Sequence, residues 1–334
     1  MVTTMVRTFI RRGDGSVSQD TSREAIAAAL ADPKSVFWLD IEAPTDDEVA
    51  ILRDVFHFHP LTIEDSVTYT QRPKIEHYTD TGDAQGNGYC YLVFHGPDLE
   101  TFRSNLRTKE IDIFVAERYL VSVHDEPLRT VGEITAMLKA DPRELLTERT
   151  DRLLHAILDR IVDHYQEILD YLEEALSELE EEALNAPSPE VLSKIAIKKR
   201  EMLNLRRVVG PQREVVAQLA RGDVQYIRES TRVYMRDVQD KLVRTVEMIE
   251  LYRDLVLGSR DIYLSSVSNN LNQVMKTLTI ISVIGLPMTI VTGFFGMNFD
   301  EPIFHDHRVF IGALVFMALV VTSMLYLFHK KRWI

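Results

Sequence analysis

Ser265, Ser266, Ser268, Asn269, Asn270, Asn272 and Gln273 form a dense run of uncharged polar side chains immediately before a long apolar stretch. Ser and Asn are mediocre helix formers, and a plain helical surface normally carries charge instead. Such a run fits a helix face that borders a water-filled axis. Continuing along the chain, Asn272, Met275, Leu278, Ser282, Leu286, Thr289, Gly293 and Gly296 recur every three or four positions, which places them on one face of a helix. Small residues on that face let helices approach closely, and Ser or Thr can hydrogen-bond inside a bundle. Met275, Leu278 and Leu286 would form apolar constrictions of the kind that gate a pore by dewetting. The same spacing also describes helix packing with no channel, and spacing alone leaves both readings open.

The elements that must carry this face are legible. Thr277 to Phe299 holds no charged residue, and neither does Val309 to Phe328. Each run is long enough to cross a hydrocarbon core of roughly 30 Å at about 1.5 Å per helical residue. Two membrane spans in a lipid bilayer are therefore expected. His329-Lys330-Lys331-Arg332-Trp333 follows the second run, whereas the connecting loop sets Arg308 against Asp300, Glu301 and Asp306. By the positive-inside rule both termini are expected in the cytoplasm. Upstream, no proline occurs between Glu229 and Pro287 and Gly258 is the one glycine before the span. One helix on the order of 100 Å is expected, and it needs partners along its length.

The remainder reads as an α+β cytoplasmic domain followed by helices. Ser35 to Ile41, Tyr89 to Phe94, Ile111 to Val115 and Tyr119 to Val123 are β-branched and aromatic runs, hence strands. Thr45 followed by Asp46, Asp47 and Glu48 marks a helix start, and Gly82 to Gly88 a turn. Leu154, Leu158, Ile161, Tyr165, Ile168, Leu172, Ala175 and Leu179 form a heptad stripe that Pro187 and Pro189 end. A second helix from about Val191 is expected to pack back on the first. Gly210-Pro211 marks a kink or break, and Gly222-Asp223 a turn. The acidic segment from Glu178 to Glu182 reads as a solvated face.

The expected parts are an α/β domain over 1–130 and a helical hairpin over 131–226. A stalk helix then continues into the first span over 227–298, with an outer loop over 299–308. The second span with its basic tail occupies 309–334. The net charge of −13 argues against nucleic acid as a partner. Cys90 is the single cysteine, which fits a reducing compartment. Met1 to Gly15 lacks the apolar core of a signal peptide. No phosphate-loop fingerprint occurs, so ATP hydrolysis is not expected and the chain does not read as an enzyme.

Gly296-Met297-Asn298 closes the first span. That triplet resembles the signature of the CorA family of magnesium channels, and the likeness extends well beyond it. Tyr263 to Asn269, Asn272, Val274-Met275-Lys276, Leu278 to Ile281, Pro287 and the closing Lys330-Lys331-Arg332-Trp333 resemble the family's pore region. His59-Pro60-Leu61, Glu64-Asp65 and Gln71 to Lys74 resemble its cytoplasmic domain, and Tyr234, Arg236-Asp237-Val238 and Asp240 the base of its stalk.

The resemblance implies a CorA-like, funnel-shaped homopentamer in a prokaryotic inner membrane, with five long helices lining the pore and the second spans facing lipid. Gly296, Met297 and Asn298 would form the selectivity filter, with Asn298 repeated five times at the outer mouth and Met297 packing. Mg2+ gives up its water reluctantly, and neutral amide oxygens can hold those waters without stripping them. Gly296 is expected to let the helix end turn. The resemblance also implies regulatory Mg2+ between subunits, with Asp65 and Glu64 facing Asp237 of a neighbour and Asp261 adding a further site. Mg2+ between such carboxylates offsets their repulsion and favours a closed state, and its loss opens the pore.

The outer loop departs from the family pattern, reading Phe299-Asp300-Glu301-Pro302-Ile303-Phe304-His305-Asp306-His307. Asp300 and Glu301 would attract cations to the mouth. His305 and His307 read as solvated loop residues, although imidazole suits zinc, cobalt and nickel better than magnesium. The expected cargo is thus Mg2+, with Co2+, Ni2+ or Zn2+ as further candidates. A zinc transporter of the related branch, with or without proton coupling, is one rival. A non-conducting membrane-anchored coiled-coil scaffold is the other, and the uncharged polar run argues against it.

Overall fold

The computed structural model describes residues 4–69, 72–79, 88–297 and 307–333. The chain forms two compact units, Met1–Glu181 with Glu190–Ser259, and Glu182–Pro189 with Arg260–Ile334.

The first unit opens with β1 (Met5–Arg11), β2 (Val17–Ser18), α1 (Arg23–Ala31) and β3 (Val36–Glu42). Next come α2 (Asp46–Asp54), α3 (Pro60–Thr68), β4 (Lys74–Tyr78), β5 (Tyr89–Pro97), β6 (Thr108–Val115) and β7 (Tyr119–His124). Glu48 accepts from the Thr45 N–H at 2.9 Å and so fixes the start of α2. The strands form one sheet in the order β2-β1-β3-β7-β6-β5-β4. Its inner strands β3 and β7 are buried throughout and pair parallel, while the other ladders are antiparallel. Side chains alternate across a strand. Phe37, Leu39 and Ile41 therefore join Leu52, Phe56, Phe58, Tyr89, Phe114 and Tyr119 in one core. Phe58 stacks on Phe114 there, with ring centroids 4.1 Å apart.

The four strands expected from sequence are present. β1, β2 and β4 are additional, and their reason for escaping notice is physical. They flank the sheet, so half-exposed residues such as Arg7, Lys74 and Glu76 interrupt the apolar alternation that reveals a strand. The expected turn over Gly82 to Gly88 lies mostly outside the described residues.

The helices that follow are α4 (Arg129–Ala140), α5 (Pro142–Leu145), α6 (Asp151–Asn185), α7 (Pro189–Arg221), α8 (Glu229–Phe295) and α9 (His307–Lys330). The α6 stripe is buried at Leu154, Leu158, Ile161, Tyr165, Ile168, Leu172 and Leu179. Ala175 is only half-buried and Leu176 takes its place in the core. Tyr165 Oη and Gln212 Nε2 each donate to the His95 carbonyl at 2.9 Å, which fastens α6 and α7 to β5. α7 runs unbroken through Pro211, contrary to a break at Gly210-Pro211. The proline removes one backbone hydrogen bond. Buried Val209, Gln212, Val215, Val216 and Leu219 on both sides hold the helix together across it.

α8 has its own buried stripe: Thr231, Met235, Val238, Leu242, Thr245, Ile249, Tyr252, Val256 and Ser259. Steps of four and three alternate throughout, the repeat of a coiled-coil seam. Polar ties accompany it. Lys241 Nζ lies 2.6 Å from Asp159 and 2.8 Å from Asp163, and Gln166 Nε2 donates to Thr245 Oγ1 at 3.2 Å.

Candidate functional site

Asn272, Met275, Leu278, Ser282, Leu286, Thr289, Gly293 and Gly296 are all solvent-exposed in the isolated chain. Ile280, Val283, Ile284, Pro287, Met288, Val291 and Phe295 are half-buried. At about 100° per residue the two sets fall on opposite faces of the helix, roughly 180° apart. α9, in the same unit, has a matching half-buried face of Val309, Ala313, Met317, Val320, Val321 and Met324, ending at buried Phe328. This is the pattern that two helices leave when they lie side by side. The polar-and-small stripe is thus the face of α8 turned away from its packed side.

On that face, Thr289 Oγ1 donates to the Gly285 carbonyl at 3.0 Å. Its hydroxyl hydrogen is satisfied within the helix, leaving the oxygen lone pairs as acceptors. Gly296 N donates to the Thr292 carbonyl at 2.9 Å, and Met297 N to the Phe294 carbonyl at 3.3 Å. Among the described glycines only Gly15 and Gly222 have positive φ, so Gly296 does not close the helix through a left-handed turn. A Cβ at Gly296 would lie 3.2 Å from the Thr292 carbonyl, so close approach is what glycine permits there. Met297 is exposed. Asn298, Asp300, Glu301 and His305 lie outside the described residues, whereas His307 begins α9 and stacks on Phe310 with centroids 6.3 Å apart.

The carboxylates expected to regulate lie on different elements. Glu64 and Asp65 sit on α3, Glu64 exposed and Asp65 half-buried. Asp237 is on α8 with its side chain 65% exposed, and its nearest cation, Lys241 Nζ, is 3.9 Å away. Asp261 is exposed more than about six helical turns further along α8. No group of three His, Cys, Asp or Glu side chains able to hold a metal occurs among the described residues. Carboxylate oxygens are the ligand type that suits Mg2+.

Lys74 received no role from sequence reasoning. Its ammonium lies 2.6 Å from Asp65 and 2.8 Å from Glu76. Burial pulls its pKa down, and the bonds to Asp65 and Glu76 outweigh that and hold it above the ordinary lysine value. The charge difference between α3 and the adjoining strand was the available signal, but the pairing becomes visible only once β4 is placed.

An α/β unit followed by a 67-residue helix and a 24-residue helix, both long and apolar enough to cross a membrane, is the pattern of a two-span membrane protein. The sequence profile of the CorA-like Mg2+ transporter family matches residues 33–331. The chain belongs to that family and is a divalent-cation transporter of that class. It is 34% identical over 298 residues to YfjQ of Bacillus subtilis, covering 89% of each chain. It is 29% identical over 305 residues to the cobalt/magnesium transport protein CorA of Thermotoga maritima, covering 91% of this chain and 85% of that one. The complete structure of the CorA magnesium transporter from Methanocaldococcus jannaschii superposes with a TM-score of 0.80 at 23% identity, covering 100% of both chains. That likeness bears out the expected fold of the single chain: an α/β domain, a long helix and two C-terminal apolar helices.

Proposed function

We infer that the chain moves Mg2+ down its electrochemical gradient through a homopentameric pore, with Co2+ and Ni2+ as secondary cargo. The exposed stripe on α8 carries this reading. Asn272, Ser282, Thr289, Gly293 and Gly296 break up the apolar surface of this face, opposite the packed side of a membrane helix, where lipid alone calls for none of them. Copies arranged around an axis give these residues a use. Asn298, at the outer end of the stripe, offers neutral oxygens to the waters of a hydrated ion, with Asp300 and Glu301 drawing cations to the mouth. Met275, Leu278 and Leu286 narrow the path and close it when dewetted.

Closure by cytosolic Mg2+ is part of this reading, with Asp65 and Glu64 of one copy set toward Asp237 of the next and Asp261 as a further cytoplasmic site, the carboxylates that family resemblance points to. The ion then acts by preferring the closed assembly. The host is a prokaryotic inner membrane with both termini in the cytoplasm, in line with the basic segment after α9. The deciding experiment is Mg2+ flux into liposomes carrying the purified protein, with Co2+, Ni2+ and Zn2+ as competitors. Saturable Mg2+ entry is expected. Zn2+ entry without Mg2+ flux moves the chain to the zinc branch, and impermeable liposomes leave a membrane-anchored scaffold.

A further inference from the structure

In a chain of net charge −13, one cavity of the first unit is strongly basic. It has a volume of about 450 Å³ and is lined by Arg11, Arg143, Arg152 and Arg228. Glu148 is the one acidic side chain in the lining, and Thr147 and Ser230 add hydroxyls. Arg228 is already engaged: its guanidinium donates to both oxygens of Asp151, at 2.9 and 2.8 Å. Asp151 also accepts from Thr231 Oγ1 at 2.6 Å, so this carboxylate is fully occupied.

The other three arginines have no ion pair among the described residues. Arg11 donates one N–H to the Thr147 carbonyl at 2.5 Å, and its Nε is buried without an acceptor. Arg143 and Arg152 are exposed to the cavity's solvent. After Glu148 is set against one of the three, the cavity keeps a surplus of two positive charges. Arg152 is the second residue of α6 and Ser230 the second of α8. Two long helices thus begin at this cavity, and each contributes the positive end of its dipole, about half a charge.

We propose that this cavity binds a small oligophosphate anion in its magnesium-free form. Guanidinium groups match phosphate oxygens in planar, paired hydrogen bonds, and three of them suit an anion with several charged groups. The cavity exceeds what one phosphate fills. No aromatic side chain lines it, so nothing there stacks on a base, and the arginines read the phosphates alone. Mg2+ on the ligand cancels two of the charges that the arginines recognise. Occupancy therefore falls as free Mg2+ rises. The site binds and does not hydrolyse, since it has no metal-holding acidic pair of its own.

The test is calorimetric titration of inorganic triphosphate into the full-length protein in detergent with a chelator present, beside Arg143→Glu/Arg152→Glu. Saturable binding, about one per chain, is expected, weakened at least tenfold in the double variant and by excess Mg2+. ATP and GTP should match triphosphate. Both substituted side chains are exposed and make no ion pair, so the melting temperature without ligand should hold. If it drops, Arg143→Gln/Arg152→Gln carries the same comparison. No triphosphate binding, equal binding by the variants, or binding of ATP alone overturns the proposal. None of these outcomes depends on whether Mg2+ flows through the membrane.

Discussion

At the scale of single residues, the proposed function rests on oxygen chemistry. Asn298 is expected to recognise a hydrated ion through a neutral amide, where a carboxylate would hold it too firmly to release. Asn298→Ala should abolish selective Mg2+ uptake while the assembly survives; normal liposome uptake by a correctly assembled variant removes that role. Asp237 is expected to act through a neighbouring copy. Its side chain is mostly exposed and only distantly paired with Lys241, so Asp237→Ala should fold normally. The Mg2+ concentration that half-closes the pore should rise several-fold. An unchanged inhibition curve takes Asp237 out of the sensor.

At the scale of elements, the sheet contains a buried ionic network that ties β1, β3 and β7 together. Asp40 is fully buried; Arg7 Nη1 donates to its Oδ2 at 2.6 Å and Ser122 Oγ to its Oδ1 at 2.5 Å. His124 Nε2 lies 3.2 Å from the same Oδ1. Burial pushes the Asp40 carboxyl up, but His124, Ser122 and Arg7 outweigh it and hold it below the usual range. Burial pushes His124 down, and Asp40 outweighs that and holds the imidazole above its ordinary value. The histidine's contribution is therefore complete below its unfolded pKa of about 6.5 and is lost as pH rises through the raised folded value. The aspartate's contribution is lost as pH falls through its lowered value. His124→Gln should destabilise the full-length protein in detergent by about 3 kcal/mol at pH 6, as loss of one partner in a buried pair does. The melting-temperature gap to wild type should narrow toward pH 9. A gap independent of pH sinks this account.

At the scale of the whole molecule, the exposed stripe on α8 leads to the expectation of several copies around an axis. Ser282 is exposed on that stripe, whereas Ile284 lies on the packed side. In a background with buried Cys90 replaced, Ser282→Cys should crosslink between copies in the membrane, in a ladder up to five. Ile284→Cys should not. The reverse pattern would place the α9-facing side at the axis and reject the proposed pore face.

Much of this was legible from the chain alone. Length and absence of charge determined the two spans, because a bilayer demands about twenty apolar residues whatever surrounds them. Alternating steps of three and four determined the α6 seam, and the missing prolines and glycines determined the length of α8. Family motifs named the candidate filter. Other features came only with tertiary structure. The Asp40–His124 contact joins positions 84 apart, and Lys74 meets Asp65 only once edge strand β4 is placed. Arg11, Arg143, Arg152 and Arg228 read along the chain as scattered surface charge. Local rules describe residues a few positions apart, whereas charge pairing depends on distance in space, and only the folded sheet and helices set those distances.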